Sequence, residues 1–116
     1  MFRFESLEIW KEAIGLSEAI YKIIGKFPKE ENFSLSDQLR RAAVSISANI
    51  AEGSGSSSNK DFRNYLNISV KSVFEVVSLL AVANKNNYIS NIVFNDLHEK
   101  AELLVKRTQS FRNSLK

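Results

Sequence analysis

The run from Phe33 to Phe62, FSLSDQLRRAAVSISANIAEGSGSSSNKDF, restricts the fold more than any other part of the chain. At about 100° per residue, Leu35, Leu39, Ala42, Ala43, Ile46 and Ile50 share about a third of a helix's circumference. Gln38, Arg41, Ser45, Asn49 and Glu52 form a second stripe beside them, at spacings of 3, 4, 4 and 3. An ordinary surface helix scatters its polar residues over the solvent side. Here short polar groups border the apolar face, as a hydrogen-bond network inside a helix-packing interface requires. Gly53 and Gly55 are expected to stop this helix, and Ser58 with Asp61 to start another.

The same periodicity recurs in three further segments, giving helices over about residues 6–26, 34–53, 58–86 and 90–115. Gly25, Phe27 and Pro28 close the first, and Ser34 with Asp37 resembles a capping box for the second. Asn84, Asn86 and Asn87 mark the end of the third, and Ser90 can cap the fourth. No strand-like alternation persists anywhere. The expectation is one all-α domain spanning residues 1–116, an antiparallel up-down four-helix bundle with short connections. The Gly53–Ser58 segment then serves as a hairpin turn.

Two of these helices are more apolar than a lone bundle needs. The first, from Leu7 to Phe27, has apolar residues over about half its circumference, beyond the ~100° stripe of one bundle face. On the third, Ile68, Leu79 and Val82 widen the arc made by Phe62, Leu66, Val73, Val76, Leu80 and Ala83. The fourth is narrower, a seam of Leu97, Ala101, Leu104, Thr108, Phe111 and Leu115. Leaving large apolar side chains in water forfeits ~1.5–3 kcal/mol each and invites association. Self-association is the simplest resolution.

A hydrophobic share of 44% with 25% charged residues argues against wholesale disorder. With no cysteine, the chain can form neither disulfides nor thiolate metal sites. No unbroken apolar run approaches the ~20 residues of a membrane span, and the opening Met1-Phe2-Arg3-Phe4-Glu5 lacks a signal-peptide core, so a cytoplasmic protein without membrane contact is expected. The net charge of +3 is unevenly placed: Lys100, Lys106, Arg107, Arg112 and Lys116 face Glu102 alone in the last stretch. Such cations either complement a helix C-terminus or form a surface for RNA, DNA or another anionic partner. Lys106, Arg107, Arg112 and Lys116 are the first candidate patch, with Arg40, Lys60 and Arg63 as the second.

Catalytic chemistry finds little support. Gly53-x-Gly55 is followed by Ser58 where a dinucleotide fingerprint needs glycine, and no strand precedes it. Lys60 lacks the Gly-Lys-Ser/Thr ending of a phosphate loop. A di-iron bundle needs Glu-x-x-His pairs, whereas Asn95 stands three residues before His98, the only histidine. Ser45 with Asn49 and Glu52 has no base to activate a nucleophile. The stripe reads instead as structural: Gln38 and Asn49 bridging helices, with Glu52 and Glu75 accepting from Arg41 or helix N-termini, and Ser72 opposite. No cofactor or metal is expected. Trp10, Tyr21, Phe27, Phe62, Tyr65 and Phe74 suit core or interface positions better than base stacking, which needs exposed rings beside cations.

Several motifs resemble one family nearly end to end. They are Phe4-x-x-Leu7-x-x-Trp10-Lys11-x-Ala13, Tyr21, Phe27-Pro28-x-x-Glu31, and Leu35-x-x-Gln38-Leu39-Arg40-Arg41-Ala42-Ala43. Ser45-Ile46, Asn49-Ile50-Ala51-Glu52-Gly53, Phe62, Leu66, Ser72 and Glu75 continue the pattern. Together they resemble the bundle proteins encoded in intervening sequences of bacterial 23S rRNA genes, with the accessory variability protein of diversity-generating retroelements as a relative. The chain departs from the pattern at Ser56-Ser57-Ser58, where relatives often carry arginines, and at Ser69-Val70-Lys71-Ser72, where they read Ala-x-Gly-Ser. The resemblance implies a four-helix bundle assembling into a ring, commonly a homopentamer, with no catalytic activity; in retroelement relatives it implies a basic barrel that binds nucleic acid and a reverse transcriptase. The function to expect is a non-enzymatic homo-oligomeric scaffold binding structured RNA or DNA. The alternative is a protein-protein adaptor ring.

Overall fold

Two of the three predicted serine caps form. In the computed structural model, which describes Met1–Lys116, the Ser58 hydroxyl accepts the Asp61 N–H at 3.2 Å and the Ser90 hydroxyl that of Val93 at 3.1 Å. They open α3 (Asn59–Lys85) and α4 (Asn91–Ser114), which follow α1 (Glu8–Ile24) and α2 (Leu35–Ser54). Short 3₁₀ turns at Arg3–Ser6 and Lys29–Glu31 precede α1 and α2. Ser34 does not cap α2: at φ −128° and ψ −101° it lies outside the extended region a cap needs. Its hydroxyl instead donates to Glu31 Oε1 at 2.7 Å, and Asp37 accepts from Arg41 Nε at 2.9 Å. At the far end of α3, Asn87 takes φ 60°, the Tyr88 N–H donates to the Ala83 carbonyl at 2.9 Å, and the Asn87 N–H to that of Asn84 at 3.0 Å. This is a Schellman stop with asparagine in the left-handed position.

The helices run up and down, each packed on its two neighbours around the bundle, while diagonal pairs stay more than 8 Å apart between Cα atoms. The α2–α3 contact is the most extensive and α1–α4 the thinnest. Ile20, Leu39, Ile46, Ile50, Phe62, Leu66 and Leu80 fill the core, all under 2% exposed. An 18-residue window of α3 reaches a mean hydropathy of 1.7, enough in length and composition for a membrane span. Its Phe62, Leu66, Val73, Val76, Leu80 and Ala83 are buried within the bundle core, the place of a central bundle helix.

Gly53 stands inside α2 rather than ending it, because α3 crosses too closely for a side chain there: a Cβ would lie 2.7 Å from Tyr65 Cβ. The broad apolar arcs leave residues uncovered, as their width predicts. Tyr21 on α1, Val44 on α2 and Ile68, Phe74 and Val82 on α3 are exposed. Trp10 is partly covered by Phe4, edge-on at 5.0 Å between centroids.

The pole holding the α1–α2 and α3–α4 turns is tied by Tyr88, whose hydroxyl donates to Glu31 Oε2 at 2.8 Å while its ring sits 5.4 Å from that of Phe27. Bonds from Ser34 and then Tyr88 hold the Glu31 carboxyl below its usual range, and the bond to Glu31 raises the Tyr88 hydroxyl above its own. A depressed acid stabilises the fold above its unfolded pKa and loses that contribution as pH falls through the folded one. A raised tyrosine contributes below its unfolded pKa and loses it as pH rises through the folded value. The melting temperature of the parent is therefore expected to exceed that of Tyr88→Phe at neutral pH. The difference should shrink at both the acid and alkaline ends; no gap at neutral pH would show that the bond contributes nothing, and a gap independent of pH that its contribution is not linked to these titrations.

Candidate nucleic-acid interface

Of the polar stripe on α2, only Ser45 bonds across to α3. Asn49 Nδ2 donates to the Ser45 carbonyl at 2.8 Å and to Ser45 Oγ at 3.0 Å. Ser45 Oγ lies 2.9 Å from Ser72 Oγ across the helix pair, and Ser72 Oγ donates to the Ile68 carbonyl at 3.2 Å. The Asn49 bond to Ser45 leaves the Ser45 proton for Ser72, so each hydroxyl is satisfied. Gln38, Glu52 and Glu75 are exposed without side-chain partners, and Arg41 reaches only Asp37. The expected network thus contracts to Ser45, Asn49 and Ser72. Glu52 and Glu75 accept nothing, since both side chains are exposed to solvent. Ser69 was missed: it is buried, and its hydroxyl donates to the Ile46 carbonyl at 2.9 Å. Its spacing of three residues from Ser72 was the available signal.

The seven candidate cations separate into distinct places. Arg40 lies 3.9 Å from Asp37 in the first turns of α2, at the pole of the Tyr88 tie. Arg107 pairs with Glu12 across the thin α1–α4 side. Lys106 borders a groove of about 550 Å³ between α3 and α4, floored by Val73, Val77, Ala101 and Val105 beside exposed Phe74. His98 Nδ1 sits 3.1 Å from Glu102 Oε1 at the same groove.

The other four gather at the pole of the α2–α3 hairpin. Arg63 Nη1 donates to the Leu115 carbonyl at 3.0 Å, and Asn59 Nδ2 to that of Lys116 at 2.7 Å. Arg112 Nη1 donates to Asn67 Oδ1 at 2.6 Å and Nη2 to Asn113 Oδ1 at 3.1 Å. These bonds tie the start of α3 to the end of α4, with exposed Lys60 in the first turn of α3. Arg3 joins them, its guanidinium 5.1 Å above the Phe62 ring. Its distance along the chain from the other cations hid it from a reading by local charge density. None of the five takes part in an ion pair: a backbone carbonyl holds Arg63, asparagine side chains hold Arg112 and a ring seats Arg3, which fix position without cancelling charge, while the Lys60 and Lys116 side chains are exposed and unbonded. Glu5, Glu8, Glu52 and Asp61 are the acidic side chains in the segments that build this pole, and Glu5 Oε1 accepts the Phe2 N–H at 2.9 Å.

Four antiparallel helices around one apolar core define an all-α four-helix-bundle protein, and five cations outside any ion pair cluster at one of its poles. The chain belongs to the 23S rRNA-intervening sequence protein family, whose model matches residues 5–110. It is similar in fold, with a TM-score of 0.83 and 23% identity, to a crystal structure from Bacteroides thetaiotaomicron described as a protein of unknown function from the S23 ribosomal protein family. That match covers 91% of this chain and 99% of the other. Comparison with curated proteins gives no match.

Proposed function

We propose that this chain is a non-enzymatic, homo-oligomeric cytoplasmic scaffold, a ring of five copies, that binds RNA or DNA through the hairpin pole. The observation that carries the reading is the group Arg3, Arg63 and Arg112, positioned by neutral partners, with exposed Lys60 and Lys116 beside them, so that charge stays available to phosphates. Exposed Tyr21, Val44, Ile68, Phe74 and Val82 support assembly, since burying them between copies recovers what exposure forfeits. A ring repeats the pole by symmetry, so a modest patch becomes a positive rim. The narrower kinship with accessory variability proteins of retroelements belongs to this proposal, with a reverse transcriptase as the implied protein partner.

Light scattering should report several times the 13.1 kDa chain mass. A low-salt mobility shift with RNA or DNA should appear, with log affinity falling steeply against log salt. Replacing Lys60, Arg112 and Lys116 together with alanine should flatten that slope and leave assembly intact. A clean monomer at micromolar concentration would remove the ring. Absence of any shift at low salt would give way to the adaptor ring, which the groove beside Phe74 favours as an apolar seat for another protein.

A further inference from the structure

The hairpin pole carries an exposed aromatic ring as well as cations. Phe2 is 71% exposed and stacks on Phe4, with 5.8 Å between centroids and 9° between planes. Phe4 lies edge-on against Trp10 of α1, and the Phe2 N–H is held by Glu5 Oε1. The ring is therefore a supported platform. Between Phe2 and Phe4 in sequence, Arg3 reaches over Phe62 at the start of α3, beside Lys60 and Arg63. Phe62 in turn packs edge-on against Phe111 in the last turns of α4, next to Arg112. The aromatic stack and the cations thus share one pole.

The two chemistries select for different features of a nucleic acid. Cations alone hold the phosphates of any strand, paired or not. A flat exposed ring offers nothing to a duplex, whose base faces are already stacked inside the helix. An unpaired strand presents those faces, and aromatic platforms beside cations recognise it without regard to sequence. Resting on the nucleic-acid reading above, we propose that the hairpin pole binds single-stranded nucleic acid. Phe2 stacks on an unpaired base, while Arg3, Lys60, Arg63, Arg112 and Lys116 hold the flanking phosphates.

Fluorescence anisotropy on the full chain with short oligo-dT, oligo-rU and a DNA duplex of equal length tests this at low salt. Either single strand should bind more tightly than the duplex, since base faces and phosphates are common to DNA and RNA. Phe2→Ala should weaken single-strand binding about tenfold or more and leave duplex binding and the salt slope unchanged; Phe2→Trp should retain affinity. Circular dichroism should be unaltered in both, because the side chain is mostly outside the core. Equal binding of duplex and single strand, with Phe2→Ala matching the parent, would overturn the single-strand assignment and leave the nucleic-acid reading standing. Failure of all three probes to bind would overturn both.

Discussion

Phe62→Ala is expected to lower the stability of the fold by about 3–5 kcal/mol, the usual range for truncating a buried phenylalanine. Phe62 is 1% exposed and meets Phe111 edge-on at 5.5 Å between centroids. It also carries the Arg3 guanidinium and packs where α2 and α3 come closest, at Gly53. Alanine would remove the ring from the core and the seat from Arg3 together. The loss should show as a lower midpoint in urea at fixed protein concentration, because assembly makes apparent stability depend on concentration. Nucleic-acid binding should weaken too, as Arg3 loses its position at the pole. A change below about 1 kcal/mol would mean that the site collapses around the gap and that the ring does not organise the pole.

The helices and most of their ends were legible because they depend on local rules. Apolar spacing set the inward faces, and Ser58 and Ser90 had hydroxyls placed to accept from the third residue on. Ser34 had the same local pattern, but after the 3₁₀ turn its backbone leaves the extended region a cap needs, and its hydroxyl donates to the Glu31 carboxylate instead. The stripe on α2 was legible in direction and illegible in extent: periodicity fixes where a side chain points around its own helix, not how far the neighbouring helix covers it. Ser45 meets Ser72 and is held by Asn49, whereas Gln38 and Glu52 are left exposed to solvent. Charge suffered from the same limit. Arg107 and Arg112 lie five residues apart on α4, yet one pairs with Glu12 and the other bonds to neutral Asn67. Arg3 reaches the same pole from the opposite end of the chain.

Gly53 offers the sharpest contrast between local and tertiary rules. Helix propensity alone favours alanine over glycine inside a helix by about 1 kcal/mol, and Gly53 is inside α2. A Cβ there would stand 2.7 Å from Tyr65 Cβ and 2.8 Å from Phe62 Cδ1. The Tyr65 Cβ is fixed to the α3 backbone, so relief requires the two helices to separate at their closest approach. Overpacking of this kind costs about 1–3 kcal/mol, and a net loss of up to about 2 kcal/mol is expected for Gly53→Ala after the propensity gain. Gly15, in the middle of α1, has nothing within 4 Å of its Cβ position, so Gly15→Ala should gain up to about 1 kcal/mol. In a Phe62→Leu background the Gly53→Ala penalty should fall, since one of the two opposing groups is gone and neighbouring substitutions couple. Urea denaturation of these variants separates the two effects. Gly53→Ala and Gly15→Ala raising the midpoint equally would show that helix propensity governs both sites and that α3 can move aside.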